Sequence, residues 1–230
     1  MFSGFTEETI QFFLDLRFHN EVGYFNDNRD RYEKVVKEPF YSLIEALAPT
    51  MTTISEDIET RPLKCLARIR RDIRFTKDKS PFRDHLWFLF RRANEQKEDC
   101  VTYYVELSPS HLSWGIGFWG QNRKAMDALR RRIDTTPSVV EEAFHKCDIP
   151  NKHFQLQGDK YKRKLPPNEC SPLLTGLYGL KSLHIVRVDA PFKLCYQKKL
   201  VKAIGDDFKK LAPLYNFMRS IADEGIATNL

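Results

Sequence analysis

Long hydrophobic runs are missing from this chain. Across its 230 residues no apolar stretch approaches the roughly eighteen residues that a membrane-spanning helix needs. The opening Met1-Phe2-Ser3-Gly4-Phe5-Thr6-Glu7-Glu8 has no basic segment followed by an apolar one, so no secretory signal is expected. Cysteine is sparse: five residues, at 65, 100, 147, 170 and 195, odd in number and never spaced C-x-x-C. That usage speaks against a disulfide framework and for reduced thiols, so a cytoplasmic protein without membrane contact is expected. No internal repeat, low-complexity tract or G-x-S-x-G nucleophile elbow is found.

Metal and cofactor signatures are equally thin. His145, Cys147 and His153 lie close together but match no zinc spacing, so no metal is expected. Gly176-Leu177-Tyr178-Gly179-Leu180-Lys181-Ser182 is no phosphate loop, because Leu180 separates Gly179 from Lys181. Gly115-Ile116-Gly117-Phe118-Trp119-Gly120 does match G-x-G-x-x-G. A dinucleotide site would also need a second parallel strand within about thirty residues, and Asp134 to Cys147 reads as helix instead. No cofactor is expected.

What the chain does have is concentrated positive charge. Between Arg61 and Arg92 stand eleven basic residues and three acids, Asp72, Asp78 and Asp84, a balance of 11 − 3 = +8. The whole chain carries +6, which leaves −2 for the remainder. Local concentration of one sign builds local potential. From Cys65 to Phe75 the apolar positions Cys65, Ala67, Ile69, Ile73 and Phe75 alternate with Lys64, Leu66, Arg68, Arg70, Asp72 and Arg74, broken by Arg71. A helix with Leu66, Ile69 and Ile73 as its stripe also fits the spacing. The β-branched residues and the turn from Lys77 to Pro81 favour a strand whose outer face is a row of guanidinium groups. The planar fork of arginine suits phosphate or carboxylate oxygens two at a time. The competing reading is that these arginines only bind the protein's own carboxylates. Carboxylates flanked by arginines should titrate low, which suits Asp72 and Asp78 to orienting the arginines. His85, beside Asp84, is the residue best suited to proton transfer near neutral pH.

The run Arg68, Arg71, Asp72, Arg74, Phe75, Asp78, Lys79, Pro81, Phe82 resembles the signature of the domain of unknown function 2461 family, approximately R-x-x-R-D-x-R-F-x-x-D-K-x-P-[YF]. The resemblance extends upstream through His19-Asn20, Tyr24-Phe25, Asn28-Arg29, Tyr32 and Pro39-Phe40. Downstream it includes Gly117-Phe118, Gly158-Asp159-Lys160 and Leu211-Ala212-Pro213-Leu214. Tyr24, where the family prefers tryptophan, and Gly120, near where it has proline, depart from the pattern. The resemblance implies a fold and brings no activity.

Taken in order, Thr6 should cap a helix running to about Gly23, and Asn26 or Asp27 a longer one with the stripe Tyr32, Val35, Val36, Phe40, Leu43, Ile44 and Leu47. Pro39 should bend or divide it. His85 to Arg92 is aromatic and basic, and Asn94 to Asp99 reads as a polar turn. Strands are expected over Cys100–Leu107 and His111–Phe118, joined as a hairpin, and over Leu183–Val188. Helices should cover Asn122–Ile133, a segment after Pro137 to about Cys147, and Tyr196–Ala222, with a break or kink at Gly205 or Pro213. Asn151 to Pro172 reads as a long loop, with a second basic cluster at Lys160-Tyr161-Lys162-Arg163-Lys164.

The expected architecture is a single α+β domain over residues 1–230, its mainly antiparallel central sheet flanked by N-terminal and C-terminal helices. The expected function is a soluble module binding a phosphate-bearing or other anionic ligand, a small molecule or nucleic acid, through an arginine-rich sheet face. Its candidate residues are Arg68, Arg70, Arg71, Asp72, Arg74, Asp78, Lys79 and His85, joined by Lys160 and Arg163. An enzyme acting on a phosphorylated metabolite, or a purely structural ion-pair lattice in an interaction protein, are the alternatives.

Overall fold

The computed structural model describes residues 1–74, 77–93, 95–96, 100–118 and 120–227. Phe75 of the signature, Trp119 of the glycine pattern, and Asn94 and Lys97 to Asp99 of the expected polar turn lie outside them.

Chemistry at the first helix matches its sequence. In α1 (Glu7–Phe18) the Thr6 hydroxyl accepts from the Thr9 amide at 3.3 Å, and the Thr9 side chain answers at the Thr6 amide. The helix ends at Phe18, short of the expected Gly23, where the His19 backbone leaves the helical region and its N–H closes on the Asp15 carbonyl. Helix α2 (Val22–Asp27) then takes in Gly23. The next helix begins at Arg29, beyond the expected caps, as α3 (Arg29–Tyr32), a π-helical turn (Glu33–Lys37) and α4 (Glu38–Ile54). Pro39 stands where the π-helical turn passes into α4. The helical backbone runs on from α3 into α4, the turn before Pro39 widens, and the Val35 carbonyl, four residues before the proline, accepts from the Thr9 hydroxyl at 2.6 Å instead. A short α5 (Pro62–Cys65) follows.

The strands are β1 (Leu86–Phe90), β2 (Val101–Leu107), β3 (Leu112–Phe118), β4 (Phe154–Gln157) and β5 (His184–Arg187), in sheet order β1-β2-β3-β5-β4. The sheet is antiparallel and helices stand at both ends of the chain, so the fold is α+β. The β2–β3 hairpin closes through Ser108 N–H to His111 O, 2.8 Å. Helices α6 (Arg123–Thr135), capped by the Asn122 side chain, and α7 (Pro137–His145) stand where expected, and the long α9 (Leu200–Ala227) covers most of the expected Tyr196–Ala222, Tyr196 itself closing a 3-10 turn. Helix α9 runs through Gly205 and Pro213 without interruption. Strand β4 falls in the segment read as loop, and α8 (Pro172–Tyr178) begins at its end, where no element is expected.

The glycine pattern has a steric origin. Gly115 and Gly117 lie on β3, paired with Val186 and His184 of β5. A Cβ on Gly115 would overlap the Ile185 carbonyl, and one on Gly117 would meet the Leu183 carbonyl and the His184 ring. Close strand approach therefore requires both glycines.

Packing divides the chain into two compact units. The first comprises Met1–Phe90, Tyr104–Trp114 and Ala190–Asp206. Its core joins Phe12, Phe13, Val36, Phe40, Leu43, Leu47, Leu86 and Phe88, all fully buried, with Phe5 on Phe40 at 4.9 Å. The second comprises Arg91–Tyr103, Gly115–Asp189 and Asp207–Leu230, and packs Tyr103 against Phe208 and Tyr215 at 4.7 and 5.0 Å. No helix among the described residues is long and apolar enough to cross a membrane.

Candidate functional site

The arginine-rich segment lies in the first unit, and it is not a strand. After α5 the chain runs extended beside Pro81–Phe88, meeting it only at isolated pairs, Leu66 with Phe88 and Arg70 with Phe82. The backbone bonds are Ala67 N–H to Trp87 O at 2.9 Å, Arg71 N–H to Pro81 O at 2.8 Å and Arg83 N–H to Ile69 O at 3.0 Å. A ladder cannot propagate, because Pro81 has no N–H and the carbonyls of Arg68 and Arg70 are taken by the Arg83 side chain, at 2.8 and 2.6 Å. The expected arginine-rich sheet face is thus corrected to an irregular arginine-rich edge. Alternation survives around its middle, where Ile69 is buried and Arg68 and Arg70 are exposed, and fails at Ile73, which is 39% exposed.

Two anchors hold this edge, Arg17 from α1 and Asn20 from the link between α1 and α2. Asn20 clamps Phe82 in both directions, its amide donating to the Phe82 carbonyl and its oxygen accepting from the Phe82 N–H, each at 2.9 Å. Phe82 is buried and stacks on Phe25 at 4.2 Å. Arg17 Nε meets Asp84 Oδ2 at 2.6 Å. Between these anchors sits Arg83, its guanidinium lying 4.9 Å over the Trp87 ring as well as on the two carbonyls.

The acids of the edge are partly occupied. Arg74 grips Asp72 through Nε at 3.0 Å and Nη2 at 2.8 Å, which with the Arg74 amide pushes the Asp72 carboxyl down to about 2. Asp78 is also held below its usual range, chiefly by the Ser80 hydroxyl and amide at 2.6 and 2.9 Å, and then by the Arg71 charge. Both aspartates stay ionised, as expected, but for Asp78 the serine matters more than the arginine. Lys79 donates to the Ile73 carbonyl at 2.8 Å. Asp84 is opposed by burial and still titrates low, because His85 and Arg17 hydrogen-bond to it. His85 Nδ1 lies 3.0 Å from Asp84 Oδ1 and its ring stacks on Trp87.

Four guanidinium groups of the edge are left with spare capacity among the described residues, that of Arg70 being exposed and without a side-chain partner. Arg71 places Nη1 2.9 Å from Asp78 Oδ2, yet its Nε is buried with no hydrogen-bond partner among the described residues. A buried, unpaired donor costs roughly 1–3 kcal/mol. Arg83 has no carboxylate partner among the described residues; burial, followed by the charges of Arg71 and Arg68, pushes its pKa down. The Arg68 side chain makes no hydrogen bond or ion pair among the described residues. Asn20, Arg17, Arg83 and Trp87 were not among the candidates. The upstream His19-Asn20 of the family pattern was the one signal for Asn20.

Lys160 and Arg163 belong to the second unit, in a basic cluster of their own. Residues 159–161 pair with 179–181 through Tyr161 N–H to Gly179 O at 2.9 Å and Lys181 N–H to Asp159 O at 2.6 Å. The Tyr161 ring has Lys164 and Lys181 at 5.1 Å and Arg130 at 5.3 Å, while Lys160 and Arg163 are exposed. Arg130 is itself buried, bound to Asp127 and to the carbonyls of Tyr178 and Leu180. The same unit has a cavity of about 330 Å³ lined by Asp134, Glu141 and Glu169, a charge unsuited to an anion. Cys147 is buried in the core and His153 pairs with Asp189 at 2.5 Å.

Residues 8–217 match the model of a family described as conserved hypothetical protein (DUF2461). The chain belongs to this family. The match covers both units, including the arginine-rich edge, Asn20 and Tyr161. A search of curated proteins finds none that matches it.

Proposed function

We propose that the edge from Arg68 to His85 binds a phosphate-bearing or other anionic ligand. The observation that carries this reading is Arg71: its Nη1 is fixed by Asp78 while Nε is buried without an acceptor among the described residues. A guanidinium held in that way is preorganised to give its remaining donors to an oxyanion. Arg83, held by carbonyls and Trp87 rather than by an acid, supplies a second fork with its charge unspent. The five free cysteines support a reducing, cytoplasmic setting for such a module. Thermal-shift titration with inorganic phosphate tests the reading: the wild type should gain stability with concentration, and the Arg71→Gln, Arg83→Gln double variant should gain none. Equal response from both proteins would exclude this edge.

The enzyme alternative is favoured by one observation, the Asp84–His85 contact. An ionised Asp84 only accepts, so His85 Nδ1 must carry the proton and Nε2 is left as the basic nitrogen. Turnover of a phosphorylated metabolite that His85→Gln abolishes, without loss of phosphate binding, would select this second reading.

A further inference from the structure

We infer that the ligand group taken by this edge is a dianionic phosphate monoester, and that singly charged phosphodiesters, including the nucleic-acid backbone, are poor ligands. This inference rests on the anion-binding reading above and narrows it to one chemical class. It follows from how the charges converge and from how few of them are offset. A surface that tracks a nucleic-acid strand spreads single cations along the phosphates, one charge to each. Here the cations are drawn to one place. The Arg83 guanidinium bridges the carbonyls of Arg68 and Arg70, and Arg71 follows directly, its amide bonded to Pro81 two residues before Arg83. Among the described residues, none of the three guanidinium groups is paired one-to-one with an acid of its own except Arg71 with Asp78. Asp72 is gripped by both prongs of Arg74. Arg68 and Arg71 are the basic groups whose charge reaches the Arg83 guanidinium, so the cluster carries +3 against −1 from Asp78, Asp72 being offset by Arg74, and +2 awaits an incoming group.

A phosphate monoester above its second pKa, near 6, brings −2 and three acceptor oxygens. That matches the charge of the cluster and the donors that face outward, the free edges of the exposed Arg68 and half-buried Arg83 guanidinium groups. A diester or a sulfate ester brings one charge and leaves the cluster with residual repulsion between like charges.

Phenyl phosphate and phenyl sulfate at pH 8 separate the possibilities, since they share size and shape and differ by one charge. Isothermal titration of the full chain should give phenyl phosphate an affinity roughly tenfold or more above phenyl sulfate. Arg83→Gln should remove that preference. If Arg83→Gln proves too unstable to measure, Arg68→Gln, at an exposed side chain, should reduce the preference in its place. Equal affinities for the two esters, both lost in Arg71→Gln, would overturn the dianion inference and leave the anion site standing. Tighter binding of an oligothymidylate than of phenyl phosphate would overturn it in favour of a diester surface. No binding of either ester or of the oligonucleotide would remove the anion-binding reading together with the inference.

Discussion

Asn20→Ala is the perturbation that most directly probes how the arginine-rich edge is built. Asn20 makes two 2.9 Å hydrogen bonds to the backbone of Phe82, one given and one received. Alanine leaves an N–H and a carbonyl of a buried residue without their partner. Each net hydrogen bond is worth roughly 0.5–1.5 kcal/mol, and a stranded buried group costs toward the upper end or beyond it. The site is partly buried, so some rehydration is expected, and a loss of about 2–3 kcal/mol follows. In a protein of this size a kcal/mol moves Tm by about 2–4 °C, so the variant should melt roughly 4–12 °C lower by calorimetry. Asn20→Asp keeps the acceptor for the Phe82 N–H but loses the donor to its carbonyl, so it should not restore the wild-type Tm. Because Phe82 precedes Arg83, the phosphate-dependent stabilisation should weaken in both variants. A change in Tm under about 1 °C would show that Phe82 is held by its stacking on Phe25 and that the clamp is incidental.

Other outcomes follow from individual groups. Gly115→Ala should abolish folding or solubility of the chain, seen by circular dichroism, because the colliding atom is the Ile185 backbone carbonyl, which cannot step aside. Arg130→Ala should cost about 2–4 kcal/mol by leaving the Tyr178 and Leu180 carbonyls unpaired, and should hasten proteolysis between residues 160 and 181. Asp84 has its folded pKa depressed, so its contribution is fully present above the unfolded value near 3.9 and is lost as pH falls through the lower folded value. Asp84→Asn should therefore flatten the acid limb of the stability curve while lowering stability at pH 7. With a thiol reagent at pH 8, Cys170 should react first in the native protein, since Cys65, Cys100, Cys147 and Cys195 are buried and burial pushes the Cys100 and Cys195 thiols up to about 12 and 11.

The fold was most legible where local chemistry and packing agree. The Thr6 cap, the Asn122 cap of α6, the β2–β3 hairpin and β5 all carry signals within a few residues of themselves. The arginine-rich segment was misread because its alternation is real only around Ile69, and what stops it from pairing is remote: Pro81 and the Arg83 side chain lie on the returning chain. Strand β1 was missed because Leu86-Trp87-Phe88-Leu89-Phe90 is apolar on both faces, so period two has little to show. Strand β4, only four residues long, exists because β5 is there to pair with it. Helix α8 did carry a signal, the Ser171 cap followed by Pro172, hidden beneath a glycine pattern that drew attention to phosphate loops. For the site, charge concentration located the segment and a titration argument anticipated ionised Asp72 and Asp78. Which arginines keep their donors was not legible, because Arg74 is consumed by a neighbour two residues away while Arg83 is spared by bonding to backbone.

The most direct measurement is the arginine Nε–H region of a proton–nitrogen correlation spectrum during titration with inorganic phosphate. The Arg71 signal, assigned by its loss in Arg71→Lys, should move with phosphate and become slower to exchange with water, while that of Arg74, already bound to Asp72, should move little. A stationary Arg71 signal at saturating phosphate, or one that moves no more than Arg74, would contradict the anion site.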